Sequence, residues 1–232
     1  MYQVSKRLLD IVVSAVLLLV LAPVLAALAI WIRLASPGPI LYRGRRVGLG
    51  GVPFDMLKFR SMVVNADKIG ASSTADDDPR ITRPGKVMRK FKLDELPQFI
   101  NVLRGDMSLV GPRPQVQWCV DLYTPEERRI LNVRPGITDW ASMSYDEGEV
   151  LKGSTDPDGD YMRIIHPTKM RLGLYYVDHG SFLVDLKILL ATALAIFLRL
   201  DPSWCVPSVF KEEVAQLRRA RVVVEETPAA AD

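Results

Sequence analysis

The strongest hydrophobic pattern lies at the start of the chain. Residues 8–34 are apolar except for Asp10, Ser14 and Arg33. The uninterrupted part, 15–32, is about 18 residues, the lower edge of a bilayer-spanning helix. Ala22-Pro23 falls at its middle, where proline removes a donor and breaks the helical ladder. Lys6 and Arg7 precede the run, and Arg33, Arg43, Arg45 and Arg46 come after it. Under the positive-inside rule, basic flanks hold both ends on one side of a membrane, which a single span does not satisfy. The residues alone leave two readings open: a kinked spanning helix, or a re-entrant hairpin that dips into one leaflet and returns. No small-x-small cleavage pattern with a polar mature start is present, so removal as a signal peptide is not expected.

The pattern then changes period. Residues 40–47 and 52–60 read as two strands joined by the glycine-rich turn Gly48-Leu49-Gly50-Gly51. The turn has neither GxGxxG nor Walker spacing, so a hairpin is expected rather than a phosphate cradle. Lys58 and Arg60 alternate with Leu57 and Phe59, which predicts both cations on one side of the strand. Residues 65–78 are polar and read as a helix end and a mobile loop, and the run Asp76-Asp77-Asp78 as a solvated, flexible charge run rather than a metal cluster. Thr124-Pro125-Glu126-Glu127 is a capping box, and 167–178 predicts a helix. Asp146, Glu147 and Glu149 read as a surface patch, and 153–160 as a loop. Residues 182–200 are apolar but cut by Asp185 and Lys187, leaving about 11 clean residues, a core or interfacial helix rather than a second span. Trp204 suits a headgroup interface. Residues 211–232 are charged and then rich in Ala and Pro, read as a helix and a disordered tail.

Chemistry concentrates in Lys92-Leu93-Asp94-Glu95-Leu96-Pro97-Gln98 and in Gly111-Pro112-Arg113-Pro114. Asp94 is placed to cap a helix, with Pro97 in its first turn. Leu96, Phe99, Ile100 and Leu103 recur at helical spacing as a buried face, and Gly105 comes next as its C-cap. Acidic residues in a first turn are commonly there only for the helix dipole. The surroundings say more: Arg80, Arg83, Lys86, Arg89, Lys90 and Lys92 precede the pair, and Arg104 and Arg113 lie beyond it. Two carboxylates among many cations suit phosphate, metal and nucleophile.

These runs, with Asn101-Val102-Leu103-Arg104-Gly105-Asp106-Met107-Ser108-Leu109-Val110 between them, closely resemble the bacterial sugar transferase family, the monotopic polyprenyl-phosphate phosphoglycosyl transferases. The resemblance extends from about residue 6 to about residue 190. It implies an α+β fold: a small, mostly helical cytosolic domain with a short β-hairpin, anchored by an N-terminal re-entrant membrane helix. The corresponding division is 1–36 membrane helix, 37–210 transferase domain and 211–232 tail. The implied reaction moves a phospho-sugar from a UDP-sugar to polyprenyl phosphate at the cytoplasmic face of the bacterial inner membrane. By resemblance, Asp94 is the nucleophile and Glu95 holds Mg²⁺; spacing alone does not separate their roles. Lys58, Arg60, Arg80 and Arg113 are carried over as phosphate or nucleotide contacts, and Pro112-Arg113-Pro114 as a turn at the uridine end. The chain departs from the family at Asp139 and Ser142, where many members carry Gly and Gln, so the sugar stays open.

Composition changes this picture little. The chain has 232 residues, enough for one domain with a real core, and a net charge of +3, which points to no nucleic acid. Cys119 and Cys205 form no CxxC, and with His166 and His179 they supply no zinc site or expected nucleophile. The competing class is a non-enzymatic, membrane-anchored scaffold or regulator of polysaccharide assembly. It predicts tolerance at Asp94 and Glu95 and no magnesium dependence. A basic membrane-binding module would explain the cations but leave the 94–114 block unused.

Overall fold

The computed structural model describes residues 2–220. The end of the expected tail lies outside them.

Helices α1 (Tyr2–Val20) and α2 (Ala22–Ala35) are bent by 62° at Leu21. The bend falls where Pro23 cannot donate to the preceding turn. No single described helix is long and apolar enough to cross a membrane; the bent pair together meets that length and composition. Helix α1 is inside-out. Its buried stripe is Lys6, Asp10 and Ser14, while Val4, Leu8, Ile11, Val12, Val16 and Leu19 face outward.

Strands β1 (Leu41–Val47) and β2 (Pro53–Phe59) form the expected antiparallel hairpin, with Tyr42 opposite Lys58. Arg60 lies one residue beyond β2 and does not share Lys58's surroundings. Its guanidinium donates to Ser36 O, Pro37 O and Ser36 Oγ, each at 2.8 Å. Gly38 makes room for it, since a Cβ there would lie 2.1 Å from Arg60 Nη1. Arg60 thus fixes the chain as it leaves α2.

Thr82 caps α3 (Arg83–Lys90), accepting the Gly85 N–H at 3.1 Å. The acidic pair caps no helix. Lys92 turns left-handed (φ 55°) and starts a 3₁₀ turn, Leu93–Glu95, that holds both carboxylates. Helix α4 (Gln98–Arg104) begins only after Pro97 and ends at the left-handed Gly105 (φ 93°). The expected apolar stripe is only half-buried; Gln98, Asn101 and Val102 face inward instead. The reason is Asn101, which accepts from Leu57 N at 2.9 Å and donates to Asp55 O at 2.8 Å, clamping α4 onto β2. With those backbone groups paired, the polar side chain is stable inside.

A second sheet was not expected. Strand β3 (Ser108–Val110) and, after α5 (Gln117–Asp121), β4 (Gly136–Thr138) pair in parallel, Ser108 opposite Gly136 and Val110 opposite Thr138. The Thr124 capping box forms in both directions, Thr124 N to Glu127 Oε2 at 2.8 Å and Glu127 N to Thr124 Oγ1 at 3.2 Å, but opens a 3₁₀ segment. Short helices α6 (Trp140–Ser144), α7 (Glu147–Val150) and α8 (Pro157–Asp160) lead to α9 (His166–His179), α10 (Phe182–Leu198) and α11 (Lys211–Arg219). Segment 153–160, read as a loop, therefore contains a helical turn. The main core includes Val102, Met107, Leu109, Val110, Trp140, Ile165, Leu172 and Ile188, and a smaller cluster joins Leu28 and Ile32 of α2 to Phe59 and Met88.

At the mouth of the parallel pair the backbones nearly touch. A Cβ on Gly136 would stand 2.1 Å from Gly111 N. Gly136→Ala is expected to cost at least about 1–3 kcal/mol, as overpacking does, read as a lower Tm in thermal unfolding. An unchanged Tm would mean that this approach is not fixed.

Candidate active site

The site is built where the 93–95 turn, β2 and the 111–114 segment meet. Glu95 is its anchor. Lys58 Nζ donates to Glu95 Oε1 at 2.8 Å, and Arg113 Nη2 donates to the same oxygen. Arg113 Nη1 donates to Ile137 O at 2.9 Å, so the guanidinium is held from both sides. Asn101 sets the position of Lys58 through its bonds to the strand around it.

The two carboxylates sit in opposite electrostatic environments. Burial alone would raise the Glu95 pKa, but Arg113 and Lys58 more than reverse this and hold it far below the usual carboxylate range. Asp94 is 4% exposed, and burial pushes its pKa up. Lys58 is the strongest influence in the other direction; Glu95 raises it further, while Arg89 and Arg113 pull it down. Burial lowers the Lys58 pKa against the pull of Glu95, whereas Glu95 raises that of Arg113 despite burial.

The expected site residues do not all converge. Asp94, Glu95, Lys58 and Arg113 come together, with Pro112 and Pro114 flanking Arg113. Arg60 sits at the end of α2, as described above. Arg80 is occupied in the 66–80 loop: it meets Asp78 with its Nε and Nη2 and donates to Ala66 O and Ala71 O. Its role there is to fold the loop, and Asp78 is correspondingly not a solvated charge. Asp76 and Asp77 are exposed, as expected, and Asp77 accepts from Gly153 N at 3.2 Å.

Sequence reasoning also missed several groups. Arg46 adds positive charge near Arg113, and Arg89, already noted among the cations upstream of the pair, acts on Asp94. Glu147, read as surface, pairs with Lys169 at 2.7 Å, and the Lys169 side chain is only 7% exposed. Both lie within electrostatic reach of Arg113 or Asp139. Asp139 is buried and accepts the Arg113 backbone N–H at 3.1 Å. A lone basic residue far along the chain from any motif, such as Lys169, gives no signal in the sequence.

Among the described residues, no group of three or more His, Cys, Asp or Glu side chains converges as a metal site. The adjacent carboxylates of Asp94 and Glu95 fit a different arrangement. A hard cation can bind one or two carboxylates while water and substrate phosphates supply the remaining oxygens. Glu95 carries both protein cations on Oε1, and a carboxylate has further lone pairs to offer.

A carboxylate pair set among cations packs close to a bent apolar helix pair, an arrangement whose charges suit a phosphate group. The family model described as bacterial sugar transferase matches residues 1–199, and the chain belongs to that family. It is 40% identical over 197 residues to the UDP-N-acetylgalactosamine-undecaprenyl-phosphate N-acetylgalactosaminephosphotransferase of Aeromonas hydrophila, covering 82% of this chain and 43% of that protein. It is 41% identical over 190 residues to the UDP-glucose:undecaprenyl-phosphate glucose-1-phosphate transferase of Caulobacter vibrioides, covering 81% and 67%. A protein of the same name from Escherichia coli is 37% identical over 201 residues, covering 83% and 40%. The chain thus spans about two fifths of the length of the first and third of these relatives and two thirds of the second.

Proposed function

We propose that the protein transfers a phospho-sugar from a UDP-sugar to undecaprenyl phosphate, releasing UMP. The observation that carries this reading is the split pair: a buried carboxylate, Asp94, beside one locked into an ion-pair network, Glu95. The names of the relatives supply the donor and acceptor class. An oxygen of Asp94 attacks the β-phosphorus, and the bond to the bridging oxygen breaks as UMP departs. The phospho-sugar is then an acyl phosphate on Asp94. An oxygen of the polyprenyl phosphate attacks the same phosphorus, the Asp94–phosphorus bond breaks, and the carboxylate is restored with the polyprenyl diphosphate sugar as product.

Lys58, Arg113, Arg46 and Arg89 offset the negative charge that otherwise repels the nucleophile. Mg²⁺, held through Glu95, would neutralise diphosphate charge and stabilise the leaving nucleotide. Such a product opens the assembly of a surface glycan. The test is UMP release from a panel of UDP-sugars with undecaprenyl phosphate, with and without EDTA. Metal-dependent release with one sugar supports the reaction and names the donor; a folded protein that releases none and traps no phospho-sugar adduct favours the scaffold.

The outward apolar residues of α1 have no reason to face water, and large contiguous exposed apolar patches mark membrane or partner surfaces. We read the bent pair as re-entrant, entering and leaving the cytoplasmic leaflet of the bacterial inner membrane. Single cysteines at Ser5 and Ala35 are then expected to react with an impermeant reagent from the same side. Labelling from opposite sides contradicts the re-entrant arrangement.

A further inference from the structure

The run Pro112-Arg113-Pro114 contains a single backbone donor, the N–H of Arg113, because proline has none. That donor points to Asp139 Oδ2 at 3.1 Å. The other carboxylate oxygen, Oδ1, accepts from Ser142 N at 2.7 Å and from Ser142 Oγ, and Asp139 N donates to Ser142 Oγ at 3.0 Å. One side chain therefore closes the start of α6 with one oxygen and holds the 112–114 turn with the other. Around it the backbone is already paired: Gly111 N donates to Thr138 O and Gly136 N to Pro112 O, both at 3.1 Å. The first joins the end of β3 to the end of β4, the second ties the turn back to the start of β4, where Gly136 already stands opposite Ser108, and the Asp139 carboxylate adds a third hold on the turn. Beyond the turn, the Arg113 side chain reaches Ile137 O and Glu95.

We propose that Asp139 is a positioning residue for Arg113: its carboxylate fixes the backbone of the Pro112–Pro114 turn, so that the guanidinium meets Glu95 and the donor's phosphates in one orientation. This rests on the reaction proposed above, and it gives a role to a residue at which the chain departs from the commoner Gly. A partly buried N–H without its acceptor bears part of the cost of desolvation, and a guanidinium on a loosened turn no longer delivers its charge to one place. Ser142 shares the cap but makes no bond to Arg113, so the two functions of Asp139 are separable by mutation.

The experiment uses the full chain and four variants: Asp139→Ala, Ser142→Ala, Arg113→Ala and the Asp139→Ala/Arg113→Ala pair. Amide hydrogen exchange is read on peptides in which Arg113 is the only exchanging position between the two prolines. UMP release is read in parallel. In Asp139→Ala the Arg113 amide is expected to exchange at least about tenfold faster, and kcat to fall about 10–100-fold, as loss of a hydrogen bond to a charged group implies. Ser142→Ala should leave the Arg113 amide protected. In the Arg113→Ala background, Asp139→Ala should cost little more, the signature of two residues acting as one. An Arg113 amide that exchanges equally with and without the carboxylate overturns the proposal. So does an additive double variant, or an unprotected amide with an unchanged rate. If the unaltered protein releases no UMP, the reaction itself is wrong, and the amide readout still decides whether Asp139 holds the turn.

Discussion

Asp94→Asn is expected to lower UMP release by at least about a thousandfold, the scale seen when a covalent nucleophile is removed. The same substitution is expected to leave the fold intact and to raise Tm at neutral pH. The sign comes from the direction of the Asp94 shift. Burial, the largest influence, raises its folded pKa above the unfolded one. Such a group contributes stability that is fully present below the unfolded pKa and is lost as pH rises through the folded pKa. Above the unfolded pKa the carboxyl therefore loses the stability that it contributes below it, and the amide, which does not titrate, escapes that loss. The gain in Tm should shrink as pH falls toward about 4, the ordinary aspartate range.

Glu95→Gln should behave in the opposite way. Glu95 is the shared counter-charge of Lys58 and Arg113, and its pKa is depressed. Its contribution is present above the unfolded pKa and lost only as pH falls through the depressed folded value. Removing it strands two cations, so activity and Tm should fall together at neutral pH. The two adjacent carboxylates are thus separated by one pair of measurements, UMP release and thermal unfolding. An Asp94→Asn protein that keeps more than a few per cent of the rate, with deamidation excluded by mass, would falsify the nucleophile.

Local chemistry was legible wherever one residue acts on its own neighbours. Pro23 marks the bend, Gly105 ends α4, Thr124 and Glu127 form their box, and glycine-rich 48–51 joins β1 to β2. What the sequence hid depends on partners far along the chain. Strands β3 and β4 have three residues each, too short for a period to show, and Val110 meets Thr138 across an intervening helix and 3₁₀ segment. Lys58 and Arg60 share a strand parity, yet only Lys58 reaches Glu95; Arg60 finds carbonyls at Ser36 and Pro37 first. Glu147 looked like a surface residue until α9 placed Lys169 against it. The polar stripe of α1 is the clearest case. Lys6, Asp10 and Ser14 stand four residues apart, a helical face that reads as interruptions in an apolar run. In the fold that face is the inner one. Asp10 accepts from Ser108 Oγ at 3.1 Å and from Leu109 N at 2.9 Å.

Asp185→Ala is expected to cost about 3–5 kcal/mol, the usual consequence of removing one partner of a buried ion pair. Lys6 Nζ meets Asp185 Oδ2 at 2.8 Å, and Asp185 is 1% exposed. Tyr176 and Tyr2 also donate to that carboxylate, at 2.5 and 3.0 Å. The cluster joins α1 to α9 and α10 through side chains alone. For a chain of this size the loss corresponds to a Tm decrease of about 6–20 °C in detergent. The double variant Lys6→Met/Asp185→Leu should recover part of it, because a buried pair replaced by apolar groups of similar volume is often neutral, while the Tyr176 and Tyr2 hydroxyls still lose their carboxylate acceptor. Activity should not recover with stability. Lys6 also donates to Val110 O at 2.9 Å, one residue before the Gly111-Pro112-Arg113 turn, and methionine cannot supply that bond. A stable but slow double variant would show that the first helix sets the strand that leads to Arg113. A Tm for Asp185→Ala within about 2 °C of the unaltered protein would exclude both roles for the pair.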